Sequence, residues 1–419
     1  LFAVQDSHAF PNAWLANRNA LIALVFGMLS FEAHIRWREE GRQIVWPLLL
    51  FALSMYSAEA GVCTLAFIGS WALFYEKDKR GIVTTLLPYI GIVVLWRMVY
   101  KDMGYGSFGF KLYVDPGTDM MAYIVNVLKG LPVLLFNQWF KLPGEVMIML
   151  PATVQGWYAL GCFIPVTVVF ALFWPIIKEN KQLKFWSLSM VAALIPVSAT
   201  SPQERLLLFC GVGFIGLLVG LLQHHKGQLA KWLLVLHLPL AIALIPLKLG
   251  MLKSMDLFLM GYESAPSDIQ PEDQMIYLNG FEFVPMYGHV MPRIRQEIAP
   301  SGFVLLAGAT DFTLTKVDQH RLEMSIPKGW FAEGMPMLTP PQKFTVGQHT
   351  TRGVLSVKVL EITPDGQPSR VLYSFENQLD HPNYRWMLWK GLHYEEIDID
   401  FPLGEPVFFP NPMLDMMNQ

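Results

Sequence analysis

The hydrophobic positions of this chain follow two different patterns. Up to about residue 253, long apolar runs succeed one another, separated by short polar breaks. A helix needs roughly 20 residues to cross a bilayer, and several runs reach that length. So many runs in series favour a membrane domain over the buried helices of a soluble protein. The pattern predicts about eight transmembrane helices, from the runs 19–35, 44–56, 60–75, 81–100, 157–177, 185–199, 206–222 and 232–251.

The pattern changes after the last apolar run. Residues 254–297 are polar and acidic and contain four prolines, which is typical of a connector. Beyond them, apolar and polar positions alternate over short stretches, as in half-buried strands. Pro364-Asp365-Gly366-Gln367 is a turn signal between two such stretches. The sequence predicts a small all-β domain, a sandwich or barrel, over 298–419, with strands at 303–307, 312–317, 322–326, 353–363 and 370–375.

Charge divides the chain at the same place. Charged residues make up 16% of the whole, against about 25% in a typical soluble domain. Residues 1–250 hold 19 Lys/Arg and 13 Asp/Glu, a net of +6, and residues 251–419 hold 12 and 21, a net of −9. We therefore expect a membrane domain (1–253), a connector (254–297) and an acidic soluble domain (298–419). This division disfavours an ordinary soluble enzyme, a disordered chain and a nucleic-acid-binding protein.

Basic clusters give the predicted orientation. They follow the first, third, fifth and seventh apolar runs, and basic loops stay in the cytoplasm. Eight crossings then leave Leu1–Arg18, the segment 101–155 and the C-terminal domain outside. In a bacterium, this is an inner-membrane protein with a periplasmic C-terminal domain. Within the external segment, the amphipathic stretch 119–140 predicts an interfacial or re-entrant helix, with a plain surface loop as the alternative.

Ionisable residues gather at the predicted external helix ends. Such residues at membrane depth are costly and tend to mark function. They could line a cavity for a polar substrate, although interfacial anchors and local ion pairs remain the alternative. Three cysteines in apolar stretches form no disulfide or zinc spacing. The candidate site residues are Asp6, His8, Arg18, Glu59, Asp115 and Arg205.

Two short segments resemble the GT-C glycosyltransferases, in particular the transmembrane O-mannosyltransferases with tetratricopeptide repeats and their bacterial relatives. Residues 2–21 resemble the family run F-A-x-H-P-x-H-x-E-x-x-x-W-x-x-x-R, in which His8, Trp14 and Arg18 match. Gln5 and Phe10 stand where the family has His and Glu. Residues 57–62, Ser-Ala-Glu-Ala-Gly-Val, resemble the family's S-K-E-x-G-V run. The resemblance covers roughly 1–250; the tetratricopeptide repeats have no counterpart here.

The resemblance implies transfer of a sugar from a polyprenyl-phosphate donor on the outer face. It implies catalytic roles for Asp6 and His8, with Asp6 as base or as ligand of Mg²⁺ or Mn²⁺. Substrate contacts would come from Arg18 or Arg205 on the phosphate, together with Glu59 and Asp115. The family's principal catalytic acid would lie upstream of Leu1, and we expect an N-terminal segment to precede this chain.

A hypothesis of another class stays open. The departures at Gln5 and Phe10 favour a non-catalytic membrane subunit or scaffold, whose periplasmic β domain binds partner proteins in a larger complex. A transporter is a weaker third hypothesis, because the chain has no internal repeat and no paired broken helices.

Overall fold

The computed structural model describes residues 1–106, 113–150, 152–224, 227–251, 259–280, 283–330, 343–391 and 393–411. Its chain contacts divide these residues into two compact units. Unit 1 covers the described residues up to 251, and unit 2 covers those from 259 onward.

Unit 1 is helical. Its α-helices are α1 Ala9–Ala13, α2 Arg18–Glu40, α3 Val45–Ser57, α4 Thr64–Tyr75, α5 Lys79–Asp102, α6 Met120–Phe140, α7 Val146–Met149, α8 Ala152–Ile177, α9 Lys181–Ala192, α10 Leu194–Val197, α11 Leu207–His224, α12 Gln228–His237 and α13 Pro239–Met251. Short 3-10 helices lie at Phe2–Val4, Asp6–His8, Leu15–Asn17, Glu59–Cys63 and Glu204–Leu206.

Six helical stretches among the described residues are long and apolar enough to cross a membrane. Their length and composition make the chain a multi-pass membrane protein. Five of them coincide with apolar runs of the sequence, and two further runs correspond to the shorter apolar helices α3 and α4. The remaining run, 185–199, is divided between α9 and α10. The six stretches are Leu15–Glu40, Arg80–Asp102, Met120–Phe140, Thr153–Ile177, Glu204–His224 and Gln228–Gly250.

Helix α6 lies in the segment where the sequence predicts an amphipathic helix, so the helix is confirmed. It begins because the Asp119 side chain accepts a hydrogen bond from Ala122 N, an N-cap that satisfies a free backbone donor. It ends at Lys141, whose backbone is left-handed with φ 66°. By length α6 could cross a bilayer, yet two of its residues reach the segment before α11. Tyr123 donates to Ile195 O at 2.8 Å, and Asn137 donates to Glu204 at 3.4 Å.

Glycines bring α9 and α11 into close contact. A methyl group on Gly213 would lie 2.7 Å from the Met190 backbone, and one on Gly216 would lie 2.2 Å from the Trp186 ring. Helices in membranes associate through such small residues, which let backbones approach. The core of unit 1 surrounds this contact, with Phe209, Phe214 and Leu217 of α11 fully buried.

Unit 2 contains two sheets. The four-stranded sheet has the order β2-β1-β8-β9, with β1 parallel to both β2 and β8, and the six-stranded antiparallel sheet has the order β10-β3-β4-β7-β6-β5. The elements are α14 Met260–Glu263, β1 Gln274–Asn279, α15 Phe283–Ile294, β2 Gly302–Ala307, β3 Phe312–Lys316, β4 Arg321–Ser325, β5 His349–Arg352, β6 Leu355–Ile362, β7 Pro368–Phe375, β8 Tyr384–Lys390, β9 His393–Glu396 and β10 Pro406–Phe409.

The five predicted strands are confirmed as β2, β3, β4, β6 and β7, but unit 2 is not all-β. Helix α15 joins β1 to the parallel strand β2, and parallel strands need such a crossover. Both β1 and α15 lie within 254–297, where the sequence predicts a connector. The prolines and acidic residues around β1 made this segment look like a connector, although residues Met275–Asn279 of the strand are all buried. Because β1 is buried on both faces, it lacks the alternation that reveals an exposed strand.

Candidate functional site

A cavity of about 590 Å³ lies within unit 1. It is lined by the beginnings of α2, α6 and α11, the end of α5, and the turn between α3 and α4. Apolar side chains such as Met55, Val93 and Phe209 form much of its wall. Three of the six predicted site residues line it together, namely Glu59, Asp115 and Arg205. The structure thus brings together residues that are up to 146 positions apart in the sequence.

Glu59 is held on the cavity wall by a tyrosine. The Tyr113 hydroxyl donates a hydrogen bond to Glu59 Oε2. Tyr113 is positioned by a short strand-like contact, in which Val114 N donates to Ala199 O at 2.7 Å. Burial and the neighbouring Glu59 carboxylate raise the pKa of the Tyr113 hydroxyl. Tyr113 therefore stays protonated and keeps donating to the carboxylate.

Asp115 is paired with an arginine that the sequence did not single out. Arg97 Nη2 lies 2.5 Å from Asp115 Oδ2, and Gly117 N donates to Asp115 Oδ1 at 2.8 Å. Burial alone would raise the pKa of Asp115, but Arg97 and the Gly117 amide outweigh it and keep that pKa below its usual value. This pair sits on the cavity wall with its charges mutually compensated.

Arg205 forms no ion pair with any residue that the structure describes. Its Nε donates to the neutral side chain of Gln203 at 2.6 Å, and its guanidinium lies over the Trp14 ring, 5.5 Å from the centroid. A planar guanidinium has more donors than these contacts use. Arg205 is thus the cavity-lining group best suited to an anionic ligand.

Asp6 lies elsewhere, in a buried cluster of four charges. Its Oδ1 is 2.9 Å from Lys141 Nζ, and its Oδ2 is 2.5 Å from Lys248 Nζ. Lys248 also bonds to Glu204. All four side chains are at most 5% exposed. We call Asp6, Lys141, Glu204 and Lys248 the charge cluster; none of them lines the cavity.

The charge cluster places two carboxyl groups against two ammonium groups, and the carboxyl group of Glu145 lies close enough to act on Lys248 and Glu204 as well. Burial would raise the pKa of Asp6, but the two lysines hold it below its usual value. Burial also lowers the pKa of Lys141, although Asp6 opposes that change. A carboxylate held this way is a poor general base, because protonation would leave two lysines with only one carboxylate.

The other two predicted residues do not reach the cavity either. His8 is buried, with its ring against Phe2 at 4.4 Å between centroids. Gly211 makes room for it, since a methyl group there would lie 3.2 Å from His8 Nε2. Burial lowers the pKa of His8 to about 4. Arg18 is exposed at the start of α2, although its neighbours Asn17 and Asn19 line the cavity.

The described residues do not fit the expected Mg²⁺ or Mn²⁺ site at Asp6. Both carboxylate oxygens of Asp6 already face ammonium groups, which repel a cation. Asp115 is bonded by Arg97, and Glu59 accepts a bond from Tyr113. In the part of the chain that the structure describes, no three His, Cys, Asp or Glu side chains come close enough to share a metal ion.

Four residues of these sites were not predicted from the sequence: Arg97, Tyr113, Lys141 and Lys248. A signal existed for two of them. Arg97 and Lys248 are single charges inside otherwise apolar runs, and such charges usually mark function or a buried pair. Lys141 at the end of an amphipathic helix looks like an interfacial anchor. Tyr113 carries no signal, because aromatic residues are common throughout this chain.

No protein-family model matches the chain, and no curated protein or solved structure is significantly similar to it. Fold and site together define a class. The chain is a multi-pass membrane protein followed by a C-terminal β-sheet region, and a cavity at one set of its helix ends is lined by apolar side chains and by a few charged ones.

Proposed function

We propose that this protein is a GT-C-type integral membrane glycosyltransferase, and that its cavity binds a polyprenyl-phosphate-linked sugar. The observation that carries the proposal is the position of Arg205 and Glu59 on the wall of one cavity with apolar sides. A lipid-linked sugar needs an apolar surface for its first isoprene units, a cation for its phosphate and a carboxylate near the reacting sugar.

The roles follow from the contacts of the two residues. Arg205 is the phosphate ligand, since guanidinium and phosphate form strong charge-assisted hydrogen bonds. Glu59 is the general base that takes the proton of an acceptor hydroxyl. That hydroxyl oxygen bonds to the anomeric carbon, the carbon–oxygen bond to the phosphate breaks, and the phosphate leaves with the electron pair. Asp6 and His8, given catalytic roles by the family resemblance, have no part in this step, and no metal ion is assigned.

A membrane topology goes with this proposal. The eight crossings are α2, α3, α4, α5, α8, α9 with α10, α11, and α12 with α13. Helix α6 then lies along the outer end of the others, which its contacts with Ile195 and Glu204 support. The cavity and unit 2 face the periplasm of a bacterial inner membrane. Exposed cations at the opposite helix ends, such as Arg36 and Arg42, agree with a cytoplasmic location there.

The first test measures binding of polyprenyl monophosphate to the purified full chain in nanodiscs. Arg205→Ala should weaken binding by about 10- to 100-fold, because a hydrogen bond to a charged group contributes roughly 1.5–3 kcal/mol. Arg42→Ala, an exposed arginine at the opposite helix ends, is the matched control and should bind normally. Equal affinity of wild type and Arg205→Ala would show that the phosphate does not bind to Arg205 in this cavity.

The second test measures sugar transfer from membrane lipid extracts that carry polyprenyl-linked sugars. Glu59→Gln keeps the size and the Tyr113 contact but cannot take a proton. It should lower the transfer rate by at least about 100-fold while polyprenyl monophosphate still binds. Glu40→Gln, an exposed glutamate, should transfer at the wild-type rate. Undiminished transfer by Glu59→Gln would exclude Glu59 as the base.

A non-catalytic subunit is the second candidate, and exposed apolar side chains on unit 2 favour it. Val290 and Ile294, one turn apart on α15, are 37% and 66% exposed, and Ile298 beyond the helix is 60% exposed. Such apolar exposure suits a partner protein. This candidate predicts that the chain co-purifies with a membrane protein, that Ile294→Asp releases that protein, and that no transfer activity is found.

A further inference from the structure

The cavity and the charge cluster meet at one turn of the chain. The 3-10 helix Glu204–Leu206 immediately precedes α11. Its first two residues have opposite surroundings. Glu204 is 3% exposed and belongs to the charge cluster, whereas Arg205 lines the cavity. Any displacement of this turn must therefore move both residues.

Glu204 is fixed by three contacts from three other parts of unit 1. Lys248 Nζ of α13 donates to its carboxylate, and Asn137 Nδ2 of α6 donates to the same oxygen at 3.4 Å. Its own backbone N–H donates to Glu145 Oε1 at 2.8 Å. These contacts restrain both the side chain and the backbone of the turn.

Lys248 is the central member of this arrangement. Its single ammonium group bonds to both Asp6 and Glu204, which lie 242 and 44 positions away in the chain. Buried charges with satisfied partners tolerate little movement, because separating them leaves a charge in a medium of low dielectric constant. The ammonium group of Lys248 therefore restrains the Glu204 carboxylate and, with it, the turn that carries Arg205.

We propose that Lys248 is a positioning residue for the cavity: by holding Glu204, it directs the neighbouring Arg205 guanidinium toward the ligand. Lys248 itself touches no ligand. The inference rests on the proposed function, in which Arg205 binds the phosphate of the lipid-linked donor.

A double-mutant cycle tests it on the full chain in nanodiscs, with polyprenyl monophosphate as the probe. Lys248→Met should weaken binding by about tenfold, within the coupling range of residues that act through one another. Arg205→Ala should weaken it at least as much. The double variant should bind no worse than Arg205→Ala alone, because Lys248 acts only through Arg205. Additive losses would overturn the proposal, as would wild-type affinity of Lys248→Met. Lys231→Met, which removes an exposed lysine, is the matched control and should bind normally.

A second variant distinguishes weaker ligand binding from misfolding of the protein. Lys248→Met combined with Glu204→Gln removes one charge of each sign and leaves the Asp6–Lys141 pair balanced. It should remain monodisperse in detergent and still bind about tenfold more weakly than wild type. Wild-type affinity of this variant would overturn the inference. Failure of both Lys248 variants to fold would also overturn it, since the cluster would then be a general structural support. If Arg205→Ala itself binds normally, the proposed function fails first, so the two failures are distinguishable.

Discussion

The cavity wall and the charge cluster use the same residue types for opposite purposes. On the cavity wall, the side chains of Arg97 and Asp115 are 38% and 16% exposed. In the charge cluster, Lys141 and Asp6 are 4% and 0% exposed. A partly hydrated charge can exchange partners with a ligand, whereas a buried charge cannot leave its partner without a large loss of free energy. Burial, more than residue type, thus separates the ion pair on the cavity wall, which can exchange partners, from the fixed ion pairs of the charge cluster.

The largest loss of stability is expected at Asp6. Asp6→Ala removes one carboxylate and leaves two buried lysines facing only Glu204. Breaking a buried pair typically destabilises by about 3–5 kcal/mol. We expect a loss of that size in the free energy of unfolding, measured by denaturant titration in detergent. Asp102→Ala, at an exposed aspartate, should change the stability by less than about 0.5 kcal/mol. Equal effects of the two substitutions would mean that the charge cluster is not buried in solution.

His8 gives a second, pH-dependent comparison. Its pKa is about 4 in the folded protein and 6.5 in an unfolded chain. Between these two pH values the unfolded chain binds more protons than the folded protein. The folded protein therefore has its full free energy of unfolding above pH 6.5, and this free energy decreases as the pH falls toward 4. The shift corresponds to about 3 kcal/mol. Unfolding titrations from pH 7 to pH 4 should therefore give a smaller loss for His8→Gln than for wild type.

The exposed His224 provides the control for that measurement. His224→Gln should lose stability over the same pH range as much as wild type does. An identical pH profile of wild type and His8→Gln would contradict the buried position of the His8 ring.

The smallest effect is expected at Arg97. Arg97→Met breaks the pair with Asp115, but water and the Gly117 amide still reach that carboxylate. Partly exposed pairs contribute about 0–1 kcal/mol, so the free energy of unfolding should fall by less than about 1 kcal/mol. Arg42→Met, which breaks an exposed pair with Glu40, should behave alike. A loss above 2 kcal/mol at Arg97 would show that the cavity wall is as dry as the charge cluster.

Local features of this fold follow from the sequence, and pairings between distant segments do not. The alternation at 353–363 predicted β6, and the amphipathic stretch at 119–140 predicted α6. The polar residues at one set of helix ends were also found, and three of them share the cavity. The Asp6 carboxylate is bound by Lys141 and Lys248, which lie 135 and 242 positions away in the sequence. No local pattern encodes contacts of that range. Strand β1 was missed for a related reason: its partners β2 and β8 come later in the chain, and prolines surround it.

The close contact of α9 with α11 bears on how the chain is made. Helix α9 begins with Lys181 and Lys184 and buries Ser187 and Ser189, whose hydroxyl groups have no partner among the described side chains. The glycine face of α11 offers it a tight protein surface, yet α11 leaves the ribosome only after α9. The close packing of α9 therefore depends on a segment that follows it in the chain, so α9 reaches its final contacts only after α11 has been synthesised.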